Sequence, residues 1–151
     1  MTWREWTTPD EIDKSGWPRG PWDTEPDKAQ WVDPTTGLDC LIHRNRMGAL
    51  CGYVGLPPDH PLHGADCDTV DVKVHGGLTY SDRCQDTGDE SRGICHVSEP
   101  GRPHDVWWLG FDCAHWQDRL PGLNLSGPVY RDVGYVKAEV EWLAAQLATL
   151  A

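Results

Sequence analysis

Near the end of the chain apolar residues recur at alternating steps of three and four: Val133, Val136, Val140, Leu143, Leu147 and Leu150. Lys137, Glu139, Glu141 and Gln146 fall elsewhere on the same projection, and Asp132 precedes the run as a capping residue whose oxygen can accept a free first-turn amide. The spacing predicts an amphipathic helix of about five turns. The same stripe would suit a two-helix seam, but it is too short for the three or four heptads a coiled coil sustains, so packing across a sheet is expected.

Upstream, the period changes to that of strands. Leu38 to Arg44 and Ala49 to Val54 are apolar, β-compatible runs, separated by Asn45-Arg46-Met47-Gly48, which has the length and glycine of a hairpin turn. Val70, Val72 and Val74 alternate with Asp71, Lys73 and His75, which predicts a half-buried strand bent at Gly76-Gly77 and continued by Leu78 to Tyr80. Ile94 to Val97 reads as a short strand. Val106 to Phe111, the most apolar run, reads as the central strand and ends in Asp112-Cys113-Ala114-His115. Residues 55–68, 82–93 and 100–104 read as loops and turns. Trp3, Trp6, Trp17, Trp22 and Trp31 lie among prolines and acids without a sustained period, apart from a short helix expected at Thr8 to Lys14. The expected fold is therefore a single α+β domain over residues 37–151. An antiparallel sheet of about five strands is packed by the C-terminal amphipathic helix, and a Trp/Pro-rich extended leader over residues 1–36 packs on the domain.

Composition refines this picture. The length of 151 residues suits one domain, and 16 glycines with 12 prolines imply many turns, while 9 tryptophans supply large buried surfaces. A net charge of −11 repels a phosphate backbone, and the 13 Lys and Arg residues form no basic stripe, so direct nucleic-acid binding is not expected. Solubility is the plain reading of the charge; docking on a basic protein is the sharper one. Residues 1–25 lack a basic start followed by an apolar stretch, and no window is apolar enough to span a membrane, so a cytoplasmic location with reduced thiols is expected.

All 6 cysteines and all 7 histidines lie between Cys40 and His115. Zinc accepts such donors, and His60-x-x-His63, Cys95-His96 and Cys113-x-His115 are present, but there is no Cys-x-x-Cys pair and no His-Glu-x-x-His helix. Adjacent Cys95 and His96 on a strand would point to opposite faces, which leaves Cys113 with His115, completed by His75 or Cys51, as the best half-site. No cofactor is expected, with zinc as the alternative. Thiol catalysis would take Cys51 or Cys113 as nucleophile, His75 or His115 as base and Asp71 or Asp112 as orienter, although free cysteines are most often small buried hydrophobes. Acid–base hydrolysis would use His75, Asp112 and His115, each of which also has a plain role in a turn or on the surface. Ligand binding without turnover explains more of the pattern: Tyr53, Tyr80 and Trp108 as an aromatic wall, with Gly76 and Gly77 allowing close approach to the backbone. No phosphate-binding glycine loop is present.

The runs Glu25-Pro26-Asp27-Lys28, Gly37-Leu38, Cys51-Gly52-Tyr53-Val54-Gly55, His75-Gly76-Gly77-Leu78-Thr79-Tyr80, Trp107-Trp108, Gly110 to His115 and Tyr130-Arg131 together resemble a group of uncharacterised proteins of actinobacteria and their phages. The resemblance covers residues 20–147 and implies a bacterial or phage intracellular accessory protein, with no activity attached. His63 and Cys67 depart from the group's pattern, which weakens a metal site in the 55–68 loop. The expected function is a cytosolic accessory protein that binds a small polar ligand or a host protein through a pocket of His75, Tyr80, Trp108, Asp112 and His115. A small hydrolase using the same histidines and Asp112, with Cys113 as nucleophile or zinc ligand, and an acidic inhibitor of a host protein are the alternatives.

Overall fold

The computed structural model describes residues 3–123 and 126–151. Among the described residues, besides two single-turn 3-10 helices (Pro21–Asp23 and Cys67–Thr69), there are six strands and one α-helix: β1 (Arg4–Trp6), β2 (Lys28–Val32), β3 (Asp39–Arg44), β4 (Leu50–Leu56), β5 (Tyr80–Arg83), β6 (Trp107–Asp112) and α1 (Val133–Thr149). All neighbouring strands are antiparallel, in the order β1-β2-β3-β4-β6-β5. The α+β class and the C-terminal helix agree with the pattern of the sequence.

The hairpin of β3 and β4 closes through the expected turn: the Asn45 and Gly48 amides donate to Ala49 O and Asn45 O at 2.8 and 3.0 Å. Helix α1 lies across one face, where Val136, Val140, Leu143, Ala144 and Leu147 are fully buried against Ile42, Leu50, Val54, Leu109 and Phe111. Burial of each large side chain contributes about 1.5–3 kcal/mol. Close approach here requires glycine at position 52, where an added Cβ would sit 2.5 Å from Val140 and 2.6 Å from Phe111. On the other face, Leu41, Cys51, Tyr53 and Trp108 pack with Ile94 and Val106 from the irregular 84–106 segment. With both faces covered, β2 and β4 are buried along their whole length and show no alternation.

Several expected elements differ. Residues 70–74 are extended but join no strand; Val74 is buried, Val70 and Val72 pack on the core, and the backbone is satisfied by the helix. Gln146 accepts from Lys73 N and donates to Lys73 O, each at 2.7 Å, and Glu139 accepts from His75 N at 2.9 Å. Ile94 to Val97 is likewise not a strand: the Gln30 amide pairs with both backbone groups of Val97, at 2.7 and 3.0 Å. The run expected to be central, β6, is fifth of six, next to the edge strand β5. Thr8 to Lys14 forms only a turn, in which Thr8 O accepts from Glu11 N and Ile12 N.

Two of the six strands come from residues 1–36. Between them, Asp27, Arg44, Lys14, Glu25 and Tyr130 form a buried polar network. Arg44, with no exposed surface, donates to Asp27 at 3.1 Å, to Gly48 O at 3.0 Å and to the Tyr130 hydroxyl at 2.7 Å. Glu25 accepts from Tyr130 at 2.5 Å and caps α1 by accepting from Val133 N at 2.8 Å, while Asp132 accepts from Tyr135 N.

Candidate functional site

The site forms where β6 ends. Asp112 accepts from Ala114 N at 3.0 Å and turns the chain so that His115 points back toward the Gly76 turn. Residues 117–119 then pair with 127–129, through Arg119 N to Val129 O at 2.7 Å and Gly127 N to Asp118 O at 2.9 Å, which fixes Asp118 beneath both histidines. Gly76, at φ +68, admits no side chain: a Cβ there would stand 1.9 Å from His115 Nε2. The close approach at this turn thus sets the distance between the two imidazoles, whose centroids are 5.7 Å apart.

Asp118 is 1% exposed and accepts three donors: His75 Nε2 at 2.8 Å, the His115 amide at 3.0 Å and Arg131 Nε at 2.9 Å. A carboxylate only accepts, so His75 Nε2 carries a proton, and in the neutral ring Nδ1 accepts from the Tyr135 hydroxyl at 2.8 Å. Burial pushes the Asp118 carboxyl up, but the bonds from Arg131 and His75 outweigh it and hold the group below its ordinary value. The same bond to Asp118 raises the Arg131 guanidinium. Arg131 also stacks over the Tyr135 ring at 4.9 Å. The result is a row, Tyr135–His75–Asp118–Arg131, running from the surface into a buried carboxylate.

His115 belongs to a second pair. Its Nε2 lies 3.4 Å from Asp112 Oδ1, is buried and has no hydrogen-bond partner among the described residues. Its side chain is nonetheless 36% exposed, so the accessible part of the ring is the edge away from Nε2. That ring, with Ala114, Trp116, Asp118, Leu120 and Gly127, lines an open cleft of about 450 Å³. Trp116, at 84%, is the most exposed large hydrophobic among the described residues. Asp112 is steadied from the other side by the Thr79 hydroxyl at 3.0 Å.

His75, Gly76, Asp112 and His115 therefore come together. Tyr53, Tyr80 and Trp108 do not join them: they lie on the opposite sheet face, where Tyr53 and Tyr80 meet edge to face at 5.3 Å and Trp108 is fully buried. Gly77 completes the turn, its amide donating to Val74 O at 2.9 Å. Cys113 packs into the helix-side core, and burial pushes its thiol far above its ordinary value. Cys51 lies on the other face with its thiol pushed up to about 12, again by burial. Neither offers a thiolate to the site, and Cys113 and His115 diverge after the strand instead of forming a half-site. Asp71 is exposed. Of the loop histidines, His60 is buried and its Nε2 donates to Leu147 O at 2.9 Å, closing the end of α1. Asp118, Arg131 and Tyr135 were not foreseen as site residues. A carboxylate three positions after His115 was the available signal for the first; the other two reach the site only through the docking of α1.

Comparison of the chain with protein-family models, with curated proteins and with solved structures finds no match.

Proposed function

We propose that this protein binds a small polar ligand with a flat ring face, such as a sugar or a nucleoside, in the cleft between His115 and Trp116. The observation that supports this reading is an exposed tryptophan beside a histidine whose backbone amide is fixed by the buried Asp118 carboxylate and whose ring lies against Asp112. The indole offers a stacking surface, and the accessible edge of His115 offers a directional hydrogen bond. The bond from the His115 amide to Asp118 orders the backbone of the cleft before a ligand arrives and so lowers the entropy lost there on binding. In the group of actinobacterial and phage proteins that the chain resembles, such a domain would act as an accessory factor.

Titration with a panel of saccharides and nucleosides, read by indole fluorescence and by ring-proton shifts of His115, tests the proposal. A saturable response is expected, with the His115 shifts lost in Trp116→Ala and the fluorescence change lost in His115→Ala. A panel that leaves both signals unmoved at millimolar concentration sinks it.

A second reading is favoured by one specific feature. With Nε2 3.4 Å from Asp112, His115 faces a carboxylate that would hold it as a general base once the contact tightens into a hydrogen bond on ligand binding, while its other edge meets the cleft. Hydrolysis of the bound ligand would then proceed by activated water, without Cys113. Loss of turnover in Asp112→Asn with binding retained would distinguish this reading from binding alone.

A further inference from the structure

On the opposite sheet face, Cys84 and Cys95 are joined in a disulfide, where reduced thiols were expected. Because residues 94–97 follow an irregular path, Cys95 and His96 are not forced to opposite sides. Cys84 Sγ, Cys95 Sγ and a ring nitrogen of His96 gather within 4.8 Å of one another. We propose that reduction of this disulfide opens a zinc site with Cys84, Cys95 and His96 as ligands.

The loop that carries the two sulfurs is held closed by other bonds. Gln85 N donates to Ile94 O at 3.1 Å, and Ile94 N donates back to the Gln85 side chain at 2.9 Å. The buried Lys28 ammonium clamps the loop from beneath, donating to Glu90 O at 2.8 Å and Arg92 O at 3.2 Å. Breaking the S–S bond therefore leaves the thiols adjacent. The histidine is oriented as a ligand: Nδ1 faces Cys84 Sγ at 3.7 Å, while Nε2 faces Pro103 O at 3.3 Å and the Asp39 carboxylate at 3.9 Å. Metal-bound imidazoles commonly donate their other N–H to such a carbonyl or carboxylate, which fixes the tautomer. The Trp108 indole N–H points at Cys84 Sγ at 3.1 Å and would stabilise a thiolate there. A cavity of about 200 Å³, lined by Cys95, His96, His104 and Lys28 among others, gives an ion and a reductant access to two of the three ligands.

The steps balance with a dithiol as reductant. It transfers two electrons and two protons to the disulfide and is itself oxidised to a disulfide, leaving two thiols on the protein. Zinc then displaces both thiol protons to solvent and binds two thiolates and one neutral imidazole.

The test compares the oxidised full chain with chain reduced by a phosphine, each titrated with zinc alone and, in parallel, with cobalt. The reduced chain is expected to bind about one equivalent and to give the thiolate-to-cobalt absorption of a tetrahedral site, and the oxidised chain to bind none. Cys84→Ser and His96→Gln should weaken binding by more than the roughly 10- to 100-fold typical of losing an outer-shell partner. Equal binding by oxidised and reduced chains, no binding by the reduced chain, or wild-type binding by His96→Gln would overturn the proposal. The redox comparison needs no variant, so a substitution that misfolds leaves the test standing.

Discussion

Asp118 orders the site more than any residue chosen for its chemical type. His75, Asp112 and His115 were legible because imidazoles and carboxylates at strand ends stand out in a sequence. Asp118 was not, because it lies in a segment without periodicity, and its partner Arg131, like the Tyr135 that meets His75, comes from beyond the turn. Its depressed folded pKa has a definite consequence. Below the ordinary carboxylate value the unfolded chain binds a proton that the folded chain resists, so the stability Asp118 contributes is full above that value and is lost as pH falls through the folded one. Asp118→Asn should therefore cost roughly 1.5–3 kcal/mol at neutral pH, the range for hydrogen bonds to a charged group. Urea unfolding as a function of pH checks this: the gap between variant and wild type should close on acidification. Parallel profiles down to strongly acid pH would mean that Asp118 is not the titrating partner.

Among the elements, α1 and the β3–β4 hairpin were readable because their patterns carry both burial and hydrogen bonding. The Val70 to Val74 run and Ile94 to Val97 show where the two part company. Alternation reports which side chains are buried; it does not say what satisfies the backbone, and here glutamine and glutamate side chains take the place of a neighbouring strand. Gln146 is the clearest case, since one amide group meets both the N–H and the C=O of Lys73 as a strand would. Gln146→Ala should cost about 0.5–1.5 kcal/mol for each bond, less any water that replaces it. Its sharper signature is hydrogen exchange: the Lys73 amide should lose protection while amides in β3 and β4 keep theirs. Unchanged exchange at Lys73 would show that packing of the valines alone holds this segment.

The leader could not be placed from its sequence because its strands are short and one is buried on both faces, which erases the alternating signal. Its role follows from connectivity. β2 lies between β1 and β3, and Glu25 and Arg44 link the leader and β3 to Tyr130 and to the first turn of α1. That same end of the helix carries Tyr135, with Arg131 just before it, so the network that joins the leader to the domain also sets the position of the Asp118 row. Arg44→Met, which removes the cation paired with Asp27 and Glu25 and the donor to Gly48 O and Pro26 O, should cost about 3–5 kcal/mol, the range for breaking a buried ion pair from one side. It should also weaken the Tyr135–His75 contact, seen as a shift of the His75 ring protons, although Arg44 touches neither residue. Thermal unfolding of the variant, followed at leader tryptophans and at α1, should remain one coincident transition at a lower midpoint. Two separate transitions would mean that the leader is an appendage, and that the site at the start of α1 is held without it.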